Sequence, residues 1–235
     1  RQRQMCIRDR DGSGASLAST IQANQTAGFS IVQYTGSGSN ATVAHGLSEA
    51  PEWIMIKNTS HTNSWITSHV GLTSQATYSL TMNNTNAEYS DAGTYYWNNA
   101  APTNKVFSIA TDSAVNRSSG TYVAYCWRAG GNSANFNIEG KGYDSLDDMP
   151  IELGYTTNGI TINKMSVNTK AGFSIVNYQG GPNGTSDKIP HGLGKKPAWV
   201  WQKRLSSGHW SMKHHKQPSN HVLLNAVNND EYNAA

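Results

Sequence analysis

Ala27-Gly28-Phe29-Ser30-Ile31-Val32 returns as Ala171-Gly172-Phe173-Ser174-Ile175-Val176, an offset of 144. The downstream blocks keep the same spacing. His45-Gly46-Leu47, then Pro51 and Trp53, is answered by His191-Gly192-Leu193, then Pro197 and Trp199. Trp65 is matched by Trp210, His69 by His214 and Glu88-Tyr89 by Glu231-Tyr232, with offsets between 143 and 146. Small drifts of this kind place the insertions in loops. The chain therefore reads as two tandem copies of one module. Solenoid repeats have shorter units that cannot bury a core alone, so each copy at this period should be a domain in its own right.

Within the quoted stretch Phe29, Ile31 and Gln33 alternate with Ser30, Val32 and Tyr34, the period-two pattern of a strand. Glu52 to Lys57 is a nearly continuous apolar run, expected to be a strand buried on both faces. Ser64–His69, Thr77–Met82, Lys105–Ala110 and Thr121–Trp127 complete the set, separated by clusters of Gly, Asn, Ser or Pro such as Gly36–Asn40 and Asn116–Gly120. No stretch sustains a helical period. The expected fold class is all-β: an antiparallel β-sandwich, jelly-roll or lectin-like, in two tandem copies. Phe29, Ile31, Ile54, Ile56, Leu80, Phe107, Ile109 and Val123 are its expected core.

Domain limits come from the same blocks: copy one over residues 11–131, a linker over 132–154 and copy two over 155–235. The counterpart of Thr121–Trp127 has no place in copy two, which is expected to be incomplete, the second part of a gene fragment. Arg1–Arg10 differs in composition from the rest and is expected to be a non-native, adapter-derived segment or a disordered arm. It supplies four of the 18 Lys and Arg, so the formal charge of +3 carries no inference about nucleic acid.

Charged residues are only 14% of the chain, while Asn, Ser, Thr and Gly are abundant, the habit of extracellular or virion β-proteins. Outside the first ten residues Cys126 stands alone, so no intrachain disulfide staples either copy. It alternates with Tyr122 and Ala124, the pattern of a small core residue. No apolar run approaches membrane-spanning length, and no membrane insertion is expected.

The block order Ala27–Val32, His45–Leu47, Pro51 to Asn58, Asn98-Asn-Ala-Ala-Pro-Thr103, Val106–Ile109 and Thr121–Trp127 resembles an uncharacterised repeat domain of marine bacteriophage tail-fibre and virion structural proteins. The resemblance covers Ala27–Gly131 and the matching part of copy two, which departs from it at Trp199-Val-Trp-Gln-Lys203 and in the longer turn Gln179–Gly184. It implies a tail-fibre or tail-appendage module in the virion, outside the cell. Its implied partners are a host-surface glycan or receptor, other tail proteins and its own copies in a homotrimer. A secreted or surface lectin-like adhesin of a bacterium is the alternative, and a glycan-degrading enzyme stands behind both.

Candidate chemistry is sparse, and no enzymatic activity, cofactor or metal is expected. His45 and His191 open the same turn in each copy, where a ring can meet a ligand or, the preferred reading, bond the turn's own backbone. His209, His214, His215 and His221 crowd copy two, but alternate strand residues face apart, so His214 and His215 should point oppositely. Glu88 and Glu231 recur before Tyr and read as loop contacts. Asp91 and Asp112 are loop carboxylates without matched counterparts. A glycosidase needs two carboxyls converging on one sugar. Gly36-Ser-Gly-Ser39 lacks the helix that a nucleophile elbow requires. Trp65 and Trp210 read as core or sheet-face residues. Binding is the better prospect: Tyr95, Tyr96 and Trp97 beside Asn98 and Asn99 combine apolar ring faces with amides, as sugars require. Three adjacent rings cannot all point inward, and Trp97 is also read as a plug for one end of the sandwich.

Overall fold

The computed structural model describes residues 14–90, 94–151, 159–182, 188–216, 221–223 and 231–232. The arm expected over residues 1–10 lies outside these residues.

The chain is all-β. Its first strands, β1 (Ser19–Asn24) and β2 (Phe29–Thr35), form a hairpin closed by the Ala27 amide donating to Asn24 Oδ1 at 3.0 Å. Gly28 completes this turn at φ +58°, where a Cβ would stand 3.1 Å from the Arg128 carbonyl oxygen. Next come β3 (Ala41–Ala44), β4 (Trp53–Asn58), β5 (Ile66–His69), β6 (Tyr78–Thr81) and β7 (Tyr89–Ser90). After them β8 (Val106–Ile109), the single-turn helix α1 (Ser113–Asn116) and β9 (Thr121–Trp127) close the first half.

Seven of these strands form one antiparallel sheet in the order β1-β2-β9-β4-β5-β6-β7, and β3 pairs with β8 as a separate ribbon. The latest strand in sequence, β9, thus occupies a central place. Trp127 faces both Phe29 and Trp53 across the two ladders, and Ala124 faces both Val32 and Ile56. The β4 run is buried on both faces, as its sequence indicates, because Ile54 and Ile56 face the ribbon while Met55 packs beneath the outer cluster.

The main core lies between the inner face of the sheet and the β3–β8 ribbon, with α1 and Trp97 at its margin. Ile54, Ile56, Leu80, Phe107 and Ile109 are buried as expected; Phe29, Ile31 and Val123 are not in that core. On β2 the inward residues are Ser30, Val32 and Tyr34; on β9 they are Tyr122, Ala124 and Cys126. The facing expected for Phe29, Ile31 and Val123 was inverted because both faces of these strands are apolar, whereas Cys126 is buried with Tyr122 and Ala124 as their alternation indicates. Tyr34 settles the matter: its ring stacks 5.0 Å from Tyr122, and its hydroxyl donates to the Val115 carbonyl at 2.7 Å.

The segment expected to be a linker carries structure instead. β10 (Phe136–Ile138) and β11 (Lys141–Tyr143) form a hairpin, and β10 lies parallel to β12 (Thr161–Asn168). With β13 (Phe173–Gln179) they make a sheet ordered β11-β10-β12-β13, over a core that includes Met149, Ile162, Met165 and Val167. A further sheet runs β14 (Trp199–Lys203), β15 (Trp210–His214), β16 (His221–Leu223) and β17 (Glu231–Tyr232).

Local geometry recurs between the halves. The Ala171 amide donates to Asn168 Oδ1 at 2.9 Å, and Gly172 takes φ +68°, reproducing the β1–β2 turn. Trp199 faces His214 on β14–β15 as Trp53 faces His69 on β4–β5. The halves also meet. Trp201, Leu205 and Trp210 pack on the outer face of the seven-stranded sheet with Met55, Leu80 and Trp127. Lys164 donates to the Leu72 carbonyl at 3.0 Å, and the Trp210 indole N–H donates to the Thr81 carbonyl at 3.1 Å.

Candidate functional site

The loop Thr94–Ala100 leaves the sheet beside α1, and its backbone is pinned from below. The Ala110 amide donates to the Tyr96 carbonyl at 2.9 Å and the Asp112 amide to the Tyr95 carbonyl at 3.1 Å. Trp97 is 2% exposed, and its indole N–H donates to Ser79 Oγ at 2.7 Å. It is a core plug, which removes it from the expected stacking set. Tyr95 turns outward, with 58% of its surface exposed. Tyr96 lies between them, half-buried against the core and edge-on to Tyr89 at 6.1 Å.

Asn98 and Asn99 both adopt φ +51°, a left-handed conformation that Asn tolerates better than most residues. This turn brings Asn98 to the Gly36–Asn40 loop, where Asn40 Nδ2 donates to its Oδ1 at 2.7 Å. Asn40 is a neighbour that sequence spacing could not reveal. The result is one exposed ring with an adjacent ring 6.4 Å away, on a loop that continues into Asn98, bonded to Asn40, and Asn99. Below, buried Asn116 holds the same end together. It accepts from the Ser37 amide at 2.8 Å and donates to the Ser39 and Ala110 carbonyls at 2.6 and 2.7 Å.

Among the described residues the carboxylates do not converge on this loop. Asp112 caps α1 by accepting from the Ala114 amide at 2.7 Å. Glu88 holds the Thr73 amide at 2.9 Å and the Thr73 hydroxyl at 2.7 Å, a loop contact. Asp91 and the side chain of Glu231 lie outside the described residues. The carboxylate that sequence reasoning missed is Glu52. It is buried and accepts from the Ser166 hydroxyl and, at 2.7 Å, from the Gly131 amide. Burial raises its pKa above the usual carboxyl value, against the lowering effect of these hydrogen bonds.

His45 is fully buried. Its Nδ1 accepts from the Leu47 amide at 3.1 Å, so Nε2 carries the proton that bonds the Thr103 carbonyl at 3.1 Å. Burial pulls its pKa down to about 4. In His191 the Nδ1 likewise accepts from the Leu193 amide at 3.1 Å, but the ring borders a cleft of about 860 Å³. Lys188, Lys195 and Lys196 rim that cleft, and Ile138 and Ile189 line it.

His69 sits edge-on to Trp53 and accepts from the Gly71 amide at 3.1 Å, its pKa pulled to about 4 by burial and by the Lys164 charge. The rings of His214 and His215 do not face apart as expected: their centroids are 4.4 Å apart, because β15 ends at His214 and the alternation ends with it. Among the described residues no three His, Cys, Asp or Glu side chains gather as metal ligands would. Cys126 is buried in the core, where burial pushes its thiol up to about 12.

The chain belongs to the family defined by a domain of unknown function (DUF7483), which it matches over residues 8–142 and 154–235. The first matched stretch takes in β10 and ends at Gly142, inside β11. No curated protein and no solved structure matches the chain.

Proposed function

We propose that the chain is a non-enzymatic, carbohydrate-binding module of a bacteriophage tail appendage, carried on the virion and used in attachment to the host surface. The observation that carries the binding reading is Tyr95: a large ring, 58% exposed, on a loop whose own backbone is hydrogen-bonded to the sandwich. A sugar presents an apolar C–H face to such a ring while its hydroxyls meet amides, and Asn40, Asn98 and Asn99 are the amides at hand. The virion setting is supported by the block order from Ala27 to Trp127, which resembles tail-fibre repeats.

One shallow ring leaves each contact weak. Tandem modules, and a homotrimeric fibre, would raise the effective concentration of every further contact. Binding of host-surface polysaccharide, followed by NMR shifts and calorimetry, tests the site. Tyr95→Ala should weaken binding at least tenfold with the unfolding midpoint unchanged. Undiminished binding would place the contact elsewhere. Tail and baseplate genes flanking the coding sequence would bear on the virion setting separately.

A further inference from the structure

The turn that carries His191 has the opposite charge to the turn that carries His45. Thr42-Val-Ala-His-Gly-Leu-Ser-Glu-Ala-Pro51 holds one acid and no Lys or Arg. Lys188-Ile-Pro-His-Gly-Leu-Gly-Lys-Lys-Pro197 holds three lysines and no acid. Lys188, Lys195 and Lys196 stand where Thr42, Glu49 and Ala50 stand in the first turn, and all three are exposed. The backbone beneath them is alike. Gly46 and Gly192 take φ +71° and +69°, each pressed on the strand behind it. A Cβ on Gly46 would stand 2.7 Å from Ile21 of β1, and one on Gly192 2.8 Å from Val167 of β12. In both turns the His Nδ1 accepts from the amide two residues on, at 3.1 Å. The frame is shared and the charge is reversed.

The surroundings of the two rings differ as well. His45 is fully buried, and its Nε2–H donates to the Thr103 carbonyl. His191 is half-buried in the wall of the cleft of about 860 Å³. With its Nδ1 accepting, the neutral ring carries its proton on Nε2, for which the described residues hold no acceptor. The cleft falls within the range of about 300–1,000 Å³ usual for small-ligand sites. Its walls are aliphatic: Ile138, Ile151 and the rings of Pro150 and Pro197. Among the described residues no Phe, Tyr or Trp and no carboxylate lines it. Glu139, next to Ile138, is already engaged, accepting from the Thr169 hydroxyl and pairing with Lys170 Nζ at 3.4 Å.

We propose that this cleft binds an acidic saccharide, its carboxylate or sulfate groups meeting Lys188, Lys195 and Lys196 and the C–H face of a sugar ring lying on the isoleucine and proline wall. Each ammonium is a mobile point charge that takes an anion without fixed geometry, so three of them suit a ligand with several anionic groups. The His191 Nε2–H supplies a donor to a sugar hydroxyl. Other anions use only part of this lining. Inorganic sulfate or phosphate leaves the aliphatic wall idle. A fatty acid covers the wall but brings one carboxylate to three ammonium groups. A single-stranded nucleic acid finds no aromatic ring on which a base can stack. The site is separate from the Tyr95 loop, and the proposal does not rest on binding there.

The test titrates the 235-residue protein with trigalacturonate and with a sulfated galactose trisaccharide, followed by calorimetry and by NMR of the backbone amides. At least one of them should shift the amides of Ile189, Gly192 and Gly194 and bind about tenfold more tightly than neutral galactotriose. The tighter of the two identifies the anionic group. Added salt should weaken binding by about tenfold, as it does for contacts to exposed charges. Lys195→Gln combined with Lys196→Gln, at exposed positions, should keep the unfolding midpoint and lower the affinity about tenfold, while Tyr95→Ala leaves it unchanged. The proposal is overturned if neither acidic saccharide binds, or if the lysine variant binds as the parent does. It is equally overturned if inorganic sulfate, octanoate or an oligothymidylate binds as tightly as the better acidic saccharide. Binding lost in Tyr95→Ala, with shifts confined to Thr94–Ala100, would overturn it in favour of the other loop, so the two readings fail separately.

Discussion

Trp53 and Phe173, 120 residues apart in sequence, lie with ring centroids 6.1 Å apart and planes only 28° from parallel. Trp127 stacks on the same Phe173 ring at 6.3 Å, and Trp201 meets Trp53 edge-on at 5.4 Å. The outer face of the first sheet is thus joined to the second half by aromatic rings, with the buried Glu52–Ser166 hydrogen bond at their flank.

Phe173→Ala should cost about 2–3 kcal/mol, from lost ring burial and lost stacking. Near-ultraviolet circular dichroism should fall with it, since the neighbouring tryptophans lose their fixed surroundings. Phe173→Leu should restore much of the stability and little of the spectrum. A variant that unfolds like the parent would show that the ring contributes nothing to the junction.

Trp97 and Tyr95 should separate cleanly in mutagenesis. Trp97→Ala removes a buried ring and leaves Ser79 Oγ without its donor, a loss of about 3–5 kcal/mol. Tyr95→Ala should change stability by less than about 0.5 kcal/mol, as exposed positions do. Urea denaturation of the two variants checks both values. Equal losses would mean that the Tyr95 ring is packed.

Asn116→Ala should cost about 2–4 kcal/mol, because the Ser37 amide and two carbonyls lose their partner in a buried site. The same variant should loosen the Gly36–Asn40 loop, and with it Asn40. Faster amide exchange at Ser37 and Asn40 is the readout. Unchanged exchange there would show that Asn116 does not organise that end.

Acid should destabilise the protein through His45. Its folded pKa, about 4, lies below the ordinary 6.5, so between these values the unfolded chain binds the extra proton. Stability therefore falls as pH drops from about 6.5 to about 4, by up to about 1.4 kcal/mol per pH unit. His69 acts in the same direction. Glu52 opposes them: its raised pKa means the folded state holds a proton more readily above pH 4.5, so its contribution weakens as pH rises through that region. Urea denaturation from pH 4.5 to 7.5 should give a shallower dependence for His45→Gln than for the parent. Parallel curves would exclude His45 as the titrating group.

The strands of the first half were legible because their signals are local. The β4 run and the alternation of Thr121–Trp127 announce themselves within a few residues. The facing of β2 was not, since Phe29 and Ile31 look as apolar as Val32 and Tyr34 and only their distant partners decide between them. β10 and β11 escaped because each has three residues, too few for a period to show. In the Thr94–Ala100 loop, sequence showed that three adjacent rings must divide between inside and outside. Which ring goes in depends on Ser79, 18 residues away. Glu52 was read as the start of an apolar strand, since its partner Ser166 lies 114 residues on.

The central place of β9 bears on how the molecule is made. A ribosome delivers β2 and β4 long before Trp127, so the nascent chain carries both strands with an unfilled position between them. The hairpins β1–β2 and β4–β5 can form as they emerge, but the sheet cannot close until about seventy further residues have been added after β4. Until then each hairpin presents a hydrogen-bonding edge to neighbouring nascent chains. Synthesis of this protein therefore includes an interval in which unpaired strand edges stand open to association with other chains.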